Sequence, residues 1–179
     1  MFTVVIRDTT ERKRAEKAEA AARANAERLR ELERELKSLE RLSSHGKVSV
    51  TAEAFGLKPL REGAPDKFNE MVQHYKDLMD LALEQRSFKV EHNISNKLRA
   101  LSEEVGFLRA GPRDVVEIHS TALKQKSSDT TPQKFQIYAE EGRVMVLELM
   151  GYLVSFYRSH SVGVRIAAPR EDKKKKSNT

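Results

Sequence analysis

The chain has 179 residues, of which 34% are charged and 39% hydrophobic, with 8 Gly, 5 Pro, no Trp and no Cys. That length allows one ordinary domain plus an extension, the charged-to-apolar balance suits long solvated helices better than a sandwich of strands, and the missing cysteines exclude disulfide scaffolds, thiolate metal sites and cysteine nucleophiles together. Of the net charge of +6, +4 falls in residues 161–179 and only +2 in the other 160, with no basic face interleaved with aromatics, which argues against nucleic acid as the main partner.

Residues 1–10 open on Phe2-Thr3-Val4-Val5-Ile6-Arg7, a β-rich run, followed by Asp8-Thr9-Thr10, which are helix-capping residues. A lone strand has no sheet to join. The junction Asp8-Thr9-Thr10-Glu11-Arg12-Lys13 resembles the exit of a PAS sensor domain, whose last strand ends in Asp-Ile-Thr followed by Glu-Arg-Lys; Thr9 departs from the usual Ile. The resemblance implies that residues 1–10 are the residual C-terminal strand of a PAS domain and that the chain is a fragment or a truncated product.

Over residues 11–44, Ala15, Ala18, Ala22, Asn25, Leu29, Leu32, Leu36 and Leu39 recur at alternating spacings of three and four, the seam of a left-handed coiled coil with Ala15 at heptad position a. A parallel pairing sets Arg14 against Glu19 of a twin and Arg28 against Glu33 of a twin, both attractive, but Glu35 against Glu40 of a twin, which repels. The expectation is a parallel signalling coiled coil, weaker in its Ala-rich half and at polar Asn25. Residues 45–65 then read as a linker, broken by Gly46, Gly56, Pro59, Gly63 and Pro65. Phe55, Leu57 and Leu60 are too apolar for a free linker and are expected to dock on the helical domain C-terminal to it.

Residues 66–160 carry four helical patterns. The first buries Phe68, Met71, Val72, Tyr75, Leu78, Met79 and Ala82 on one face; the second repeats Val90, Ile94, Leu98, Leu101, Val105 and Leu108. The third opens at Gly111-Pro112 and presents Val115, Ile118, His119 and Ala122; the fourth starts at Thr131-Pro132 and is expected to end near Tyr157. That last helix is apolar nearly all round, so a second side needs cover, and a second copy of the same domain supplies it most simply. Val146, Met150, Leu153 and Tyr157 are the expected interface, together with the coiled-coil seam. Residues 161–179 are expected to be a disordered basic tail.

Chemistry-bearing motifs are sparse. His119 in Glu117-Ile118-His119 raises a histidine phosphotransfer domain, but Ala122 stands where such domains carry Lys; His45 follows the coiled coil as a kinase phosphoacceptor does, yet Gly46 replaces the acid expected next. Neither a nucleophile arrangement nor a phosphate-binding loop is present in the sequence. No cofactor and no metal is expected, His74, His92 and His160 being dispersed. No apolar run approaches the roughly 20 residues that cross a bilayer, so the expected address is the cytoplasm.

Asp114-Val115-Val116-Glu117-Ile118-His119, followed by Ala139-Glu140-Glu141-Gly142-Arg143-Val144-Met145-Val146-Leu147-Glu148-Leu149-Met150-Gly151-Tyr152-Leu153 and Ser155-Phe156-Tyr157-Arg158, resembles the helical domain shared by the N-terminal region of RsbU phosphatases and the C-terminal region of KaiA clock proteins. The resemblance implies an all-α protein: a long N-terminal coiled-coil helix, then a four-helix dimerising domain with no chemistry of its own. It implies a homodimer that binds an RsbT-like kinase, a phosphatase or a KaiC-like ATPase. Glu117, His119, Arg143, Tyr157 and Arg158 fall on matching positions, either as partner contacts or as residues that hold the bundle together, for instance through a Glu117–Arg143 ion pair. The expected function is a non-catalytic dimeric relay of a PAS-type input. The alternatives are a histidine phosphotransfer or kinase-dimerisation domain and, more weakly, nucleic-acid binding through the tail.

Overall fold

A computed structural model describes residues 9–44 and 58–166 of the chain. Every element among the described residues is a helix: α1 (Thr9–Ser44), α2 (Leu60–Gly63), α3 (Pro65–Phe88), α4 (Ile94–Phe107), α5 (Pro112–Asp129) and α6 (Pro132–Ile166). The expected strand at Phe2 to Arg7 and the expected docking of Phe55 and Leu57 lie outside the described residues. Pro112 and Pro132 take the first helical position as expected, and Pro65, read as the last residue of the linker, does the same, where no amide partner is lost. α3 stops where Lys89 turns left-handed at φ 54°.

The core lies between α3, α4, α5 and α6, and Tyr75, Leu98, Leu101, Val105, Val115, Ile118, Ala122 and Leu149 are fully sealed there. All seven apolar residues expected on one face of the first domain helix are buried. α6 packs on α3, α4 and α5, most extensively on α4. It runs to Ile166, beyond the expected stop near Tyr157 and six residues into the stretch read as a tail.

Two polar clusters fix the helices to one another. Asp114, in the first turn of α5, accepts the Gly111 amide at 2.7 Å and the Leu60 amide at 2.7 Å, so a single carboxylate both caps α5 and pins α2. Leu60 is consequently buried, as expected for the end of the linker. Asp80 of α3 accepts from Lys126 of α5 at 2.5 Å and from the Tyr138 hydroxyl of α6 at 2.6 Å. Burial, then the Asp80 carboxylate, pushes the Tyr138 phenol upward.

α1 does not stand apart from this bundle. Its second half lies along α5 and touches α6, with Leu32 buried and Leu29 and Leu36 packed against the core. Residues 11–28 of the same helix are exposed, Ala15, Ala18, Ala22 and Asn25 among them.

Gly106 of α4 lies against the Phe156 ring of α6, and a Cβ there would come within 2.4 Å of that ring. On α6, a Cβ at Gly151 would meet nothing within 4 Å. Gly106→Ala should therefore destabilise the fold by about 1–3 kcal/mol through overpacking, whereas Gly151→Ala should stabilise the single subunit by about 0.5–1 kcal/mol through helix propensity. Urea unfolding of the two variants checks both signs.

Candidate functional site

Three places gather the residues singled out in the sequence: the seat of α1, a buried tyrosine–histidine pair beneath it, and the outer face of α6. At the seat of α1, Glu35 receives the Arg143 guanidinium in a two-pronged contact, with Nε donating to Oε1 at 2.7 Å and Nη2 donating to Oε2. The hydrogen bonds and charge of Arg143 hold the Glu35 carboxyl below its ordinary range, against the opposing effect of burial. One heptad earlier, Arg28 donates to Glu140 at 2.6 Å, and Glu140 also receives Arg86 of α3 at 3.0 Å. Near the end of α1, Glu40 accepts from Lys124 of α5 at 3.0 Å.

The ion pair expected between Glu117 and Arg143 is not formed. Glu117 faces the other way along α5 and pairs with Arg61 of α2 at 2.8 Å, while Arg143 turns out toward α1. Desolvation raises the Glu117 carboxyl despite the opposing charge of Arg61.

His119 is only 1% exposed. Its Nδ1 lies 2.9 Å from the Tyr75 hydroxyl, which also donates to the Gly142 carbonyl at 3.3 Å, and the two rings meet edge to face. A neutral imidazole that donates from Nδ1 satisfies this arrangement, because the hydroxyl has one proton to give and lone pairs to accept with. Gly142 makes room for it: a Cβ there would stand 3.0 Å from His119 Cε1. Burial pushes the His119 ring down to about 4, against a weak upward pull from Glu35, and pushes the Tyr75 phenol strongly up. So enclosed a ring meets neither a phosphoryl donor nor a protein partner while the bundle is closed; His45, the other phosphoacceptor candidate, lies outside the described residues.

On α6, Val144, Leu147 and Val154 are exposed by 63%, 69% and 46%, and with open Gly151 they fall on one helix face at spacings of three and four. Of the residues expected to form a dimer contact, Val146 and Met150 are half-buried, Tyr157 is partly exposed, and Leu153 is sealed in the subunit's own core. Leu153 thus offers nothing to a second copy, and the outward residues are its neighbours; their spacing could have identified them. Tyr157 donates its hydroxyl to the Ala110 carbonyl at 2.8 Å, tying the far end of α6 to the α4–α5 turn, and Arg158 is exposed beside it. At this end a cleft of ≈ 550 Å³ opens over Arg99, Tyr152, Phe156 and His160, and Phe107 stands 72% exposed, edge-on to Phe156.

Among the described residues, no group of three or more His, Asp or Glu is placed to hold a metal ion, and no helix is long and apolar enough to cross a membrane.

The His119 ring generates a pH dependence with a definite sign. Its folded value lies below the ordinary 6.5, so its contribution to stability is complete above about pH 6.5 and is lost as the pH falls toward 4. The loss should reach about 3 kcal/mol at the acid end, and His119→Asn should flatten that part of the profile when stability is followed by urea unfolding at successive pH values.

No family model, no curated protein and no solved structure matches this chain.

Proposed function

We propose that this chain is a non-catalytic, dimeric signalling module: a PAS-type input acts on α1, and the helical domain of residues 66–160 presents its outer surface to a regulatory protein such as a kinase, a phosphatase or a KaiC-like ATPase. The exposed apolar face of α6 carries the reading. Val144, Leu147 and Val154 form a continuous stripe on a helix whose opposite side is already committed to the core, and contiguous exposed apolar surface on a folded domain marks an association site. A two-fold pairing brings such a stripe against itself, and Gly151 in its middle allows close approach of the two backbones.

The first half of α1 supports the same reading from another direction. Ala15, Ala18, Ala22 and Asn25 keep a heptad seam exposed along the first half of α1, where residues 11–28 are all exposed. Its own side chains steady it, through Arg12 on Glu16 at 2.9 Å and Arg23 on Glu19 at 2.5 Å, each such pair adding about 0.2–0.5 kcal/mol. A small-residue seam of this kind gives weak pairing that an attached input domain can shift. Tyr157 and Arg158, at the open end of α6, are the partner contacts, together with the exposed edge of Arg143.

Light scattering on the complete chain tests the proposal. The protein should be a dimer at micromolar concentration, and Leu147→Glu/Val154→Glu should weaken the dimer about 100-fold without unfolding the subunit. A well-folded single chain at that concentration would remove the basis of the reading.

A further inference from the structure

We propose that the second half of α1 is a releasable intramolecular clamp: Leu29, Leu32 and Leu36 pack either on α5 and α6 of their own chain or against the same residues of a twin, and the local charges favour the first. This deepens the proposed relay by naming the contact that an input signal has to break.

The two packings exclude one another. A heptad seam pairs through the same side chains that the bundle occupies here, and Leu32, at 5% exposure, has no surface left for a second helix. Leu29 and Leu36 flank it and touch the same core.

The charges discriminate between the alternatives. In a parallel pair, Glu35 would face Glu40 of the twin, a repulsion in the middle of the leucine segment. Docked on its own chain, α1 resolves both carboxylates: Glu35 takes Arg143, and Glu40 takes Lys124. Arg28, which would face Glu33 of a twin, has Glu140 in its place, and Glu140 is further neutralised by Arg86. The heptad flanks that ordinarily choose a coiled-coil partner are thus matched to α5 and α6 of the same molecule.

The clamp is also weak enough to open. One fully buried leucine and two partly buried ones contribute only a few kcal/mol, part of which is offset by ordering the helix. The leucine contacts and ion pairs that seat α1 lie between residues 28 and 40, and the rest of the core is built from α2 to α6, so α1 can lift while α3 to α6 keep their own packing. Release exposes the leucine seam for pairing and opens the strip of α5 and α6 that it covered.

Hydrogen exchange and sedimentation equilibrium on the complete chain test this, in a Leu147→Glu/Val154→Glu background so that the α6 stripe plays no part. Residues 29–40 should be protected at concentrations too low for association. Arg143→Glu should lower that protection about tenfold and tighten self-association about fivefold, because the competitor for the seam is weakened. Glu35→Arg/Arg143→Glu should restore protection, and amides of the α3 core should be unaffected throughout. Unprotected residues 29–40 in the parent, unchanged pairing in Arg143→Glu, or no rescue by the charge swap would each overturn the clamp. A failure of the stripe is separable, since it shows as a monomer with Leu147 and Val154 intact, while the clamp is read within the monomer itself.

Discussion

Leu32 is the residue on which the arrangement turns. With its side chain sealed against α5 and α6, the leucine half of α1 belongs to the bundle, the alanine half remains outside it, and Val144, Leu147 and Val154 are left exposed on the outer face of α6. A leucine removed from water contributes about 1.5–3 kcal/mol. That is a substantial share of the roughly 5–15 kcal/mol by which domains are ordinarily stable, yet small enough to be reversed without unfolding the bundle.

The seat of α1 is mechanically joined to the core through two adjacent residues of α6. Gly142 gives its carbonyl to Tyr75 and its bare Cα to His119, and Arg143, the next residue, reaches outward to Glu35. A small rotation of α6 at this turn would therefore disturb the buried pair and the surface ion pair together. Buried polar groups of this kind tolerate little misfit, because an unsatisfied member costs about 1–3 kcal/mol, so the turn at residues 142 and 143 is a stiff link between core and surface.

Much of the bundle was legible in the sequence. Proline marked two helix starts, at Pro112 and Pro132, and the spacing of Phe68, Met71, Val72, Tyr75, Leu78, Met79 and Ala82 identified a core face that is buried throughout. The heptad of α1 was equally visible, but a seam spaced three and four apart is the same whether the surface it meets is a twin or the chain's own bundle. Only the charges beside it hinted at the difference, in the clash between Glu35 and Glu40, and their true partners, Arg143 and Lys124, lie about a hundred residues away in helices whose relative placement no local pattern encodes. The same limit explains Glu117, whose partner is Arg61 in a short turn of helix that the linker's Gly and Pro concealed. It explains Asp114 as well: its role as a cap can be read from its place after Gly111-Pro112, while its second bond, to the Leu60 amide, depends on tertiary structure.

The placement of α1 can be measured directly, because a chain without cysteine accepts spin labels only where they are introduced. Labels at Lys37→Cys on α1 and Gln125→Cys on α5, both exposed positions, should give one narrow intramolecular distance by pulsed electron resonance when the doubly labelled protein is diluted into an excess of unlabelled chain. A broad distribution under those conditions, or a distance that disappears on dilution into unlabelled chain, would show that α1 does not pack on its own bundle and would contradict the account at its base.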